Sequence, residues 1–396
     1  MAVPPRKNPA ARRRKSGGRF RFLLLLLLIA AGGIWLWYHE HHQPRKHSRS
    51  RHKIIATPET LSSAPPPVPA PLPAPPPLAP APLPPSATNS PPPMAPPTGN
   101  LAIVTAPSAE FPRPARNPLE MQISLARRVI SPGSIDGAMG HQSRAALAAF
   151  QRAQNLTENG LADTNTRALL TLDAPVFTTY TVTTNDLASL QPIGATWLEK
   201  SQQSALAYET ELELIGEKAH ANPLLIKKLN PDLGWPDPPP GTTVTIPEVT
   251  YPDPTDKAAF VVIHLGERYL EAFDAGTNLL AHFPCSIAAK VEKRPIGELH
   301  VIVIAPHPNY TVNPELFPES AELQVIGHKL ILPPGPNNPV GVAWIGLDRP
   351  GYGMHGTPIP EQVGRTESHG CFRLANWDAE YLVKLAWIGM PVLVEP

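Results

Sequence analysis

The chain has 396 residues, 54 of them proline, with a formal net charge of +1. That length allows two or three domains, the proline content argues that part of the chain is not globular, and the charge gives no case for nucleic-acid binding. Only two cysteines occur, Cys285 and Cys371, which excludes a disulfide framework and leaves either one pair or a reactive thiol.

Residues 1–21 form a basic tail, with Arg6, Lys7, Arg12, Arg13, Arg14, Lys15, Arg19 and Arg21. Residues 22–38 are an uninterrupted apolar run ending in Trp35, Trp37 and Tyr38. It is of the length of a short membrane-spanning helix, with its aromatic belt at the outer end. A secretory signal cleaved at Ala30-Ala31-Gly32 is the competing reading, though it leaves a short apolar core. The expectation is a single-pass anchor in a bacterial cytoplasmic (inner) membrane, with everything downstream exported to the periplasm or cell wall. His39, His41, His42, His47 and His52 read as a solvated spacer in preference to a metal site. Residues 39–118 read as a Pro-rich disordered linker, because such a segment buries too little apolar surface to offset its ordering entropy. Where polyproline II holds, its roughly 60 Pro-rich residues reach on the order of 190 Å.

From Leu119 the pattern becomes helical: Leu119, Ile123, Leu125 and Val129 share one face. A second helix is expected over 142–155, and a third from Asp163, as cap, through Leu172. Asp136-Gly137, Ala148-Ala149-Phe150-Gln151 and Gly160-Leu161-Ala162-Asp163-Thr164-Asn165-Thr166 resemble the small three-helix peptidoglycan-binding module, over 119–172. Residues 176–248 open with Phe177–Val182, continue through Ile215–His220 and Asn222–Pro231, and close with Pro240–Pro247. The order strand, two helices, strand resembles a LysM glycan-binding module. It departs from that pattern by about 30 extra residues before the first helix.

From Ala258 onward, short β-branched runs such as 260–263, 301–304 and 343–345, bounded by Gly, Pro and Asn, indicate a mostly β domain. A helix is expected over Asp378–Ile388, with Asn376 as cap and Gly389 closing it, then a strand at Val392–Val394. The chemistry gathers in Tyr352-Gly353-Met354-His355-Gly356-Thr357-Pro358 and Gly364-Arg365-Thr366-Glu367-Ser368-His369-Gly370-Cys371-Phe372-Arg373-Leu374. A cysteine needs a base or a cationic neighbour to form its thiolate, and His355 and His369 are both near in sequence. Gly370 leaves backbone N–H groups open to a developing oxyanion, and Arg365 and Arg373 have the fork geometry for a carboxylate. A zinc site from His355, His369 and Cys371 is the metal alternative, disfavoured because His-x-Cys is an unusual ligand spacing. Cys285 lies in a predicted strand and reads as inert packing.

These motifs resemble the YkuD-type L,D-transpeptidase catalytic domain, whose mark is HG…G…S-H/K-G-C-x-R; the resemblance covers 258–396. It implies a multidomain protein: a mostly β catalytic domain, the small three-helix module, the α+β LysM-like module, and the N-terminal transmembrane helix with its Pro-rich linker. It implies Cys371 as nucleophile and His355 as base. Ser368, His369, Gly370 and Phe372 would support the site or its oxyanion hole, and Arg373, Arg365 and Tyr352 would bind substrate. The substrates implied are peptidoglycan stem peptides and glycan strands, with no cofactor. The reaction implied is acyl transfer to an amine, or to water in a carboxypeptidase; a non-enzymatic wall tether is the third class. The stretch 306–340, rich in proline at 333–339, departs from the family and is expected to reshape the cleft.

Overall fold

The computed structural model describes residues 111–366, 368 and 370–396. The basic tail, the apolar run 22–38, the histidine cluster, the linker through residue 110, Glu367 and His369 lie outside the described residues. Among those described, no helix is long and apolar enough to cross a membrane.

The small module begins before the expected boundary. Strand β1 (Arg113–Pro114) pairs antiparallel with β2 (Thr171–Leu172), so residues 111–117 belong to the fold. Between them lie α1 (Pro118–Ala126), α2 (His141–Ala153) and α3 (Thr164–Leu169). Asn117 caps α1, accepting from Glu120 N–H at 3.0 Å, and Pro118 takes the first-turn position where its missing donor costs nothing. Asp163 caps α3, accepting from Thr166 N–H at 2.8 Å. The third helix stops short of Leu172 because Thr171 and Leu172 are taken into the strand pair.

The next unit is built on β3 (Phe177–Thr181), paired antiparallel along its whole length with β4 (Thr243–Pro247). Four helices intervene: α4 (Thr184–Ser189), α5 (Trp197–Gln202), α6 (Glu211–Lys218) and α7 (Pro223–Leu229). The last two match the expected pair, and α4 and α5 are the extra residues. The unit does not stand apart from the small module. Ile123, Ala126, Ile135 and Leu172 share one buried core with Ile215, Ile226, Val244 and Ile246. Arg127, just past α1, ties the same seam by donating to the carbonyls of Glu248 (2.8 Å), Ala174 (3.0 Å) and Pro175.

The remaining strands are β5 (Phe260–His264), β6 (Tyr269–Phe273), β7 (Leu279–Pro284), β8 (Gly297–Pro306), β9 (Tyr310–Val312), β10 (Leu330–Leu332), β11 (Ala343–Leu347), β12 (Gly353–His355), β13 (Phe372–Arg373) and β14 (Pro391–Glu395). Eight of them make one mixed sheet in the order β13-β12-β11-β8-β14-β5-β6-β7, parallel only at β12/β13 and β14/β5. The remaining helices are α8 (Ala321–Ile326) and α9 (Asn376–Leu385). Leu382 and Leu385 of α9 are buried in one core with Val261, Ile263, Val301, Ile345 and Phe372. This helix starts at Asn376 rather than being capped by it, and ends at Leu385 rather than Ile388.

The small module also rests on this sheet. Arg152 of α2 forms an ion pair with Glu271 of β6, through the same Oε1 that accepts from the His282 ring at 3.0 Å. The segment 306–340 folds as a cap: β9 pairs with β10, and α8 closes over them. Its core is not its own. Leu206, Ile193 and Trp197 of the preceding unit fill it together with Val312, Leu323 and Leu332. The extra residues of one unit thus pack against the extra residues of the other. At the join Gly335 adopts φ +147°, and a Cβ there would lie 2.1 Å from the Leu206 carbonyl oxygen, so only glycine fits.

Candidate active site

The sheet's edge builds the site. Parallel pairing sets Met354 beside Phe372 and His355 beside Arg373. Side chains alternate along a strand, so Met354 and Phe372, both buried in the main core, point one way and His355 and Arg373 the other. Cys371 stands one residue before β13, in the bend that leads into it. The turn carrying Cys371 is pinned on both sides to the segment after β7. Ser286 and Arg373 exchange backbone bonds of 2.9 and 3.0 Å, and Ser368 N–H donates to Ile287 O at 2.7 Å while Ala289 N–H donates to Ser368 O at 3.0 Å. Arg294, just upstream of β8, braces that segment by donating to Ala288 O at 2.8 Å.

Ser368 closes the turn from inside. Its hydroxyl donates to Cys371 O at 2.5 Å and accepts from Gly370 N–H at 3.2 Å. The Gly370 N–H is therefore already engaged, which differs from the expectation that it stands open to an oxyanion. A Cβ on Gly370 would meet the Tyr352 ring at 3.6 Å, an ordinary contact, so Tyr352 packs over the turn. Arg349 in turn lies over the Tyr352 ring at 4.6 Å.

His355 is 4% exposed. Its Nδ1 donates to Gly356 O at 2.6 Å, which leaves Nε2 as the lone-pair nitrogen. Burial pushes the imidazole down to about 4, further helped by the Arg373 charge and opposed by the Gly356 bond, so the ring is neutral at physiological pH. Trp344 of β11, its register partner, stacks on it with centroids 5.6 Å apart. Gly353 leaves room for that indole, since a Cβ would lie 2.8 Å from two of its ring carbons.

The Cys371 thiol is partly exposed and donates to Gly351 O at 3.4 Å rather than to the imidazole. Burial raises its pKa, against the lowering effects of Gly353 N–H and the Arg373 charge. A thiol and a neutral imidazole carried by neighbouring paired segments are the two groups that nucleophilic catalysis by cysteine requires. Cys285 is fully buried, a free thiol like Cys371, and pushed up to about 12 by burial.

Other expected residues fall elsewhere. Arg365 is exposed and lines a cleft of about 120 Å³ with Ser134, His141 and Gln142 of the small module, apart from Cys371. Gly364, at φ +70°, turns the chain that way and is held by Ser286 Oγ, while Gln142 donates to Val363 O. A cleft of about 410 Å³ lies on the other side of the His355 loop, between Glu213, Glu217 and Asn337 and the segment Pro358–Glu361; Cys371 does not line it. No pattern in the sequence marks Trp344 or Tyr310 as part of the site, or Asn376 as a buried tie. Tyr310, on the cap strand β9, sits close enough for the Cys371 and Arg373 charges to act on its hydroxyl.

Residues 258–394 match the family model "L,D-transpeptidase catalytic domain" (YkuD), and residues 116–170 match "Putative peptidoglycan binding domain". Among curated relatives, "Putative L,D-transpeptidase YqjB" of Bacillus subtilis is 41% identical over 64 residues, covering 15% of this chain and 36% of its own length. The chain thus spans about a third of that relative. "Putative L,D-transpeptidase YkuD" of Bacillus licheniformis is 23% identical over 185 residues, 47% of this chain and 93% of its own. Among solved structures, an L,D-transpeptidase from Mycobacterium smegmatis is 16% identical, covering 41% of this chain and 76% of its own, with a TM-score of 0.27. One from Xylanimonas cellulosilytica is 15% identical, covering 73% and 98%, with a TM-score of 0.29.

Proposed function

We propose that the chain cross-links peptidoglycan stem peptides through a Cys371 thioester, a reading supported by the match of residues 258–394 to the L,D-transpeptidase catalytic-domain model. The observation that supports the proposal is the β12/β13 pairing, which brings the bend holding Cys371 to the strand that ends in a neutral His355.

The Cys371 thiol passes its proton to His355 Nε2 as sulfur attacks the carbonyl carbon of the third stem residue. The tetrahedral oxyanion is held by backbone N–H groups of the Cys371–Phe372 turn, since Gly370 N–H is bound to Ser368. The C–N bond then breaks, the imidazolium proton goes to the departing amine of the terminal D-residue, and a thioester remains. The amine of a third residue on a second stem attacks it, giving a bond between third residues and regenerating the thiol. With water in place of the amine, the same steps release a trimmed tripeptide. The register of Arg373 with His355 supports a role for its guanidinium in holding the substrate carboxylate.

The wall-binding reading of the accessory units belongs to the same proposal. The small module matches a peptidoglycan-binding family, and the antiparallel β3/β4 pair with α6 and α7 between supports a LysM-like reading of 176–248. The anchored, exported placement rests on the apolar run 22–38.

The test is mass spectrometry of purified tetrapeptide muropeptides incubated with the protein and with Cys371→Ala. Dimers joined through third residues and absent from the variant support the transpeptidase. Cysteine-dependent tripeptide alone makes it a carboxypeptidase, and no change with a folded protein overturns the enzymatic reading in favour of a wall-binding tether.

A further inference from the structure

We infer that Glu217, on α6 of the accessory unit, is a positioning residue for the His355 imidazole, acting through Asn376 and the Gly356 carbonyl. The inference rests on the reading of Cys371 and His355 given above, and it makes the accessory unit part of the catalytic apparatus rather than a separate wall-binding handle.

Asn376 is 1% exposed. Its amide nitrogen donates to Glu217 Oε1 at 2.8 Å and to Pro336 O at 3.2 Å, and its oxygen accepts from Val342 N–H at 3.3 Å. Two glycines crowd that oxygen: a Cβ on Gly341 would lie 2.0 Å from it, and one on Gly356 2.3 Å. The Gly341 position would also be 2.7 Å from the Gly356 backbone. Three chain segments therefore converge on one amide, and one of them carries the carbonyl that His355 Nδ1 addresses at 2.6 Å. That hydrogen bond decides which ring nitrogen keeps the lone pair, and a carbonyl displaced by a fraction of an ångström turns the ring.

Glu217 fixes the orientation of the Asn376 amide. It supplies the shorter of the two bonds to the amide nitrogen, 2.8 Å against 3.2 Å to Pro336 O, and a flipped amide would set its NH₂ against Val342 N–H. The carboxyl is itself held, its second oxygen accepting from Tyr208 OH at 3.3 Å. Burial raises Glu217 to about 8, against the opposing bonds from Asn376 and Tyr208. Glu213, one turn earlier, makes a comparable bond across the same seam, accepting from Asn337 Nδ2 at 2.7 Å, but Asn337 does not reach the Gly356 loop. It supplies a matched comparison for a bond that only holds the units together.

The test uses the second-order rate of Cys371 alkylation by iodoacetamide, with the modified residue mapped by mass spectrometry, beside kcat and KM for tetrapeptide. Glu217→Ala is expected to slow alkylation and kcat by about tenfold with KM within about twofold. Glu217→Gln, which keeps an oxygen for Asn376, should restore both to within about twofold of the parent, and Glu213→Ala should leave both unchanged. Should Glu217→Ala not fold, Glu217→Asp retracts the carboxyl from Asn376 and carries the same expectation. Equal thermal destabilisation by Glu217→Ala and Glu213→Ala with unaltered alkylation would overturn the inference. The underlying reading of the site fails separately, if His355→Ala alkylates as fast as the parent.

Discussion

Trp344 lies nearly face to face with His355, the two planes 25° apart and the centroids 5.6 Å apart. The imidazole is thus fixed twice, by an indole on its face and by the Gly356 carbonyl at Nδ1. Gly353 is the residue that permits the first contact. Gly353→Ala drives a methyl into the Trp344 ring, and is expected to cost about 1–3 kcal/mol of stability, the usual range for overpacking. It should also slow Cys371 alkylation at temperatures where the variant is fully folded. Chemical denaturation and alkylation kinetics check the two parts independently.

The pH profile of the thiol follows from the same surroundings. His355 is pushed down to about 4 and Cys371 is raised, so the resting pair is a thiol beside a neutral imidazole rather than an ion pair. Alkylation of the free protein should keep rising with pH beyond the ordinary thiol range, with no step near pH 6.5. A plateau between about pH 6 and 8, as an imidazolium–thiolate pair gives, would contradict this.

Asp378 makes stability depend on pH. It is fully buried, accepts from Ser131 Oγ at 3.0 Å and Tyr251 OH at 2.8 Å, and burial raises it from 3.8 to about 7. Its folded-state pKa is above the unfolded value, so its contribution is fully present below about 4 and is lost as pH rises towards 7. Asp378→Asn removes the ionisation. The fall in Tm between pH 5 and 8 should be smaller in the variant than in the parent, and equal slopes would show that Asp378 is not the source.

The cap depends on a core it borrows. Leu332 and Leu206, both fully buried, belong to different units but to the same cluster. Either one changed to alanine should cost about 2–5 kcal/mol locally. Hydrogen exchange should accelerate in 310–332 while strands β5 and β14 stay protected. Because Tyr310 moves with the cap, kcat/KM for tetrapeptide should fall in both variants alike.

The proposed catalytic residues stand out in the sequence because they crowd into two short segments, and each residue type has a chemical reason to be there. The βααβ unit was legible from its flanking strands and the Asn222-Pro223 helix start, which the structure keeps as a cap and first turn. What holds the site was not legible. Asn376 reads as a helix cap, yet its amide bonds Glu217, 159 residues away, and long-range pairing leaves no periodic trace. The cap's dependence on Leu206 was hidden for the same reason: an insertion in one unit and an insertion in another each look like a loop until they meet. Arg365 was drawn to the active site by proximity to Cys371 in sequence, whereas Gly364 turns it towards the small module.

The central claim is that Cys371 carries an acyl group during turnover. Intact-protein mass spectrometry after rapid mixing with a tetrapeptide muropeptide tests it most directly. A single adduct equal to the donor minus its terminal D-amino acid, mapped to Cys371 and discharged by added amine, is the expected result. Release of that amino acid with no adduct at any time, or release undiminished in Cys371→Ala, would contradict it.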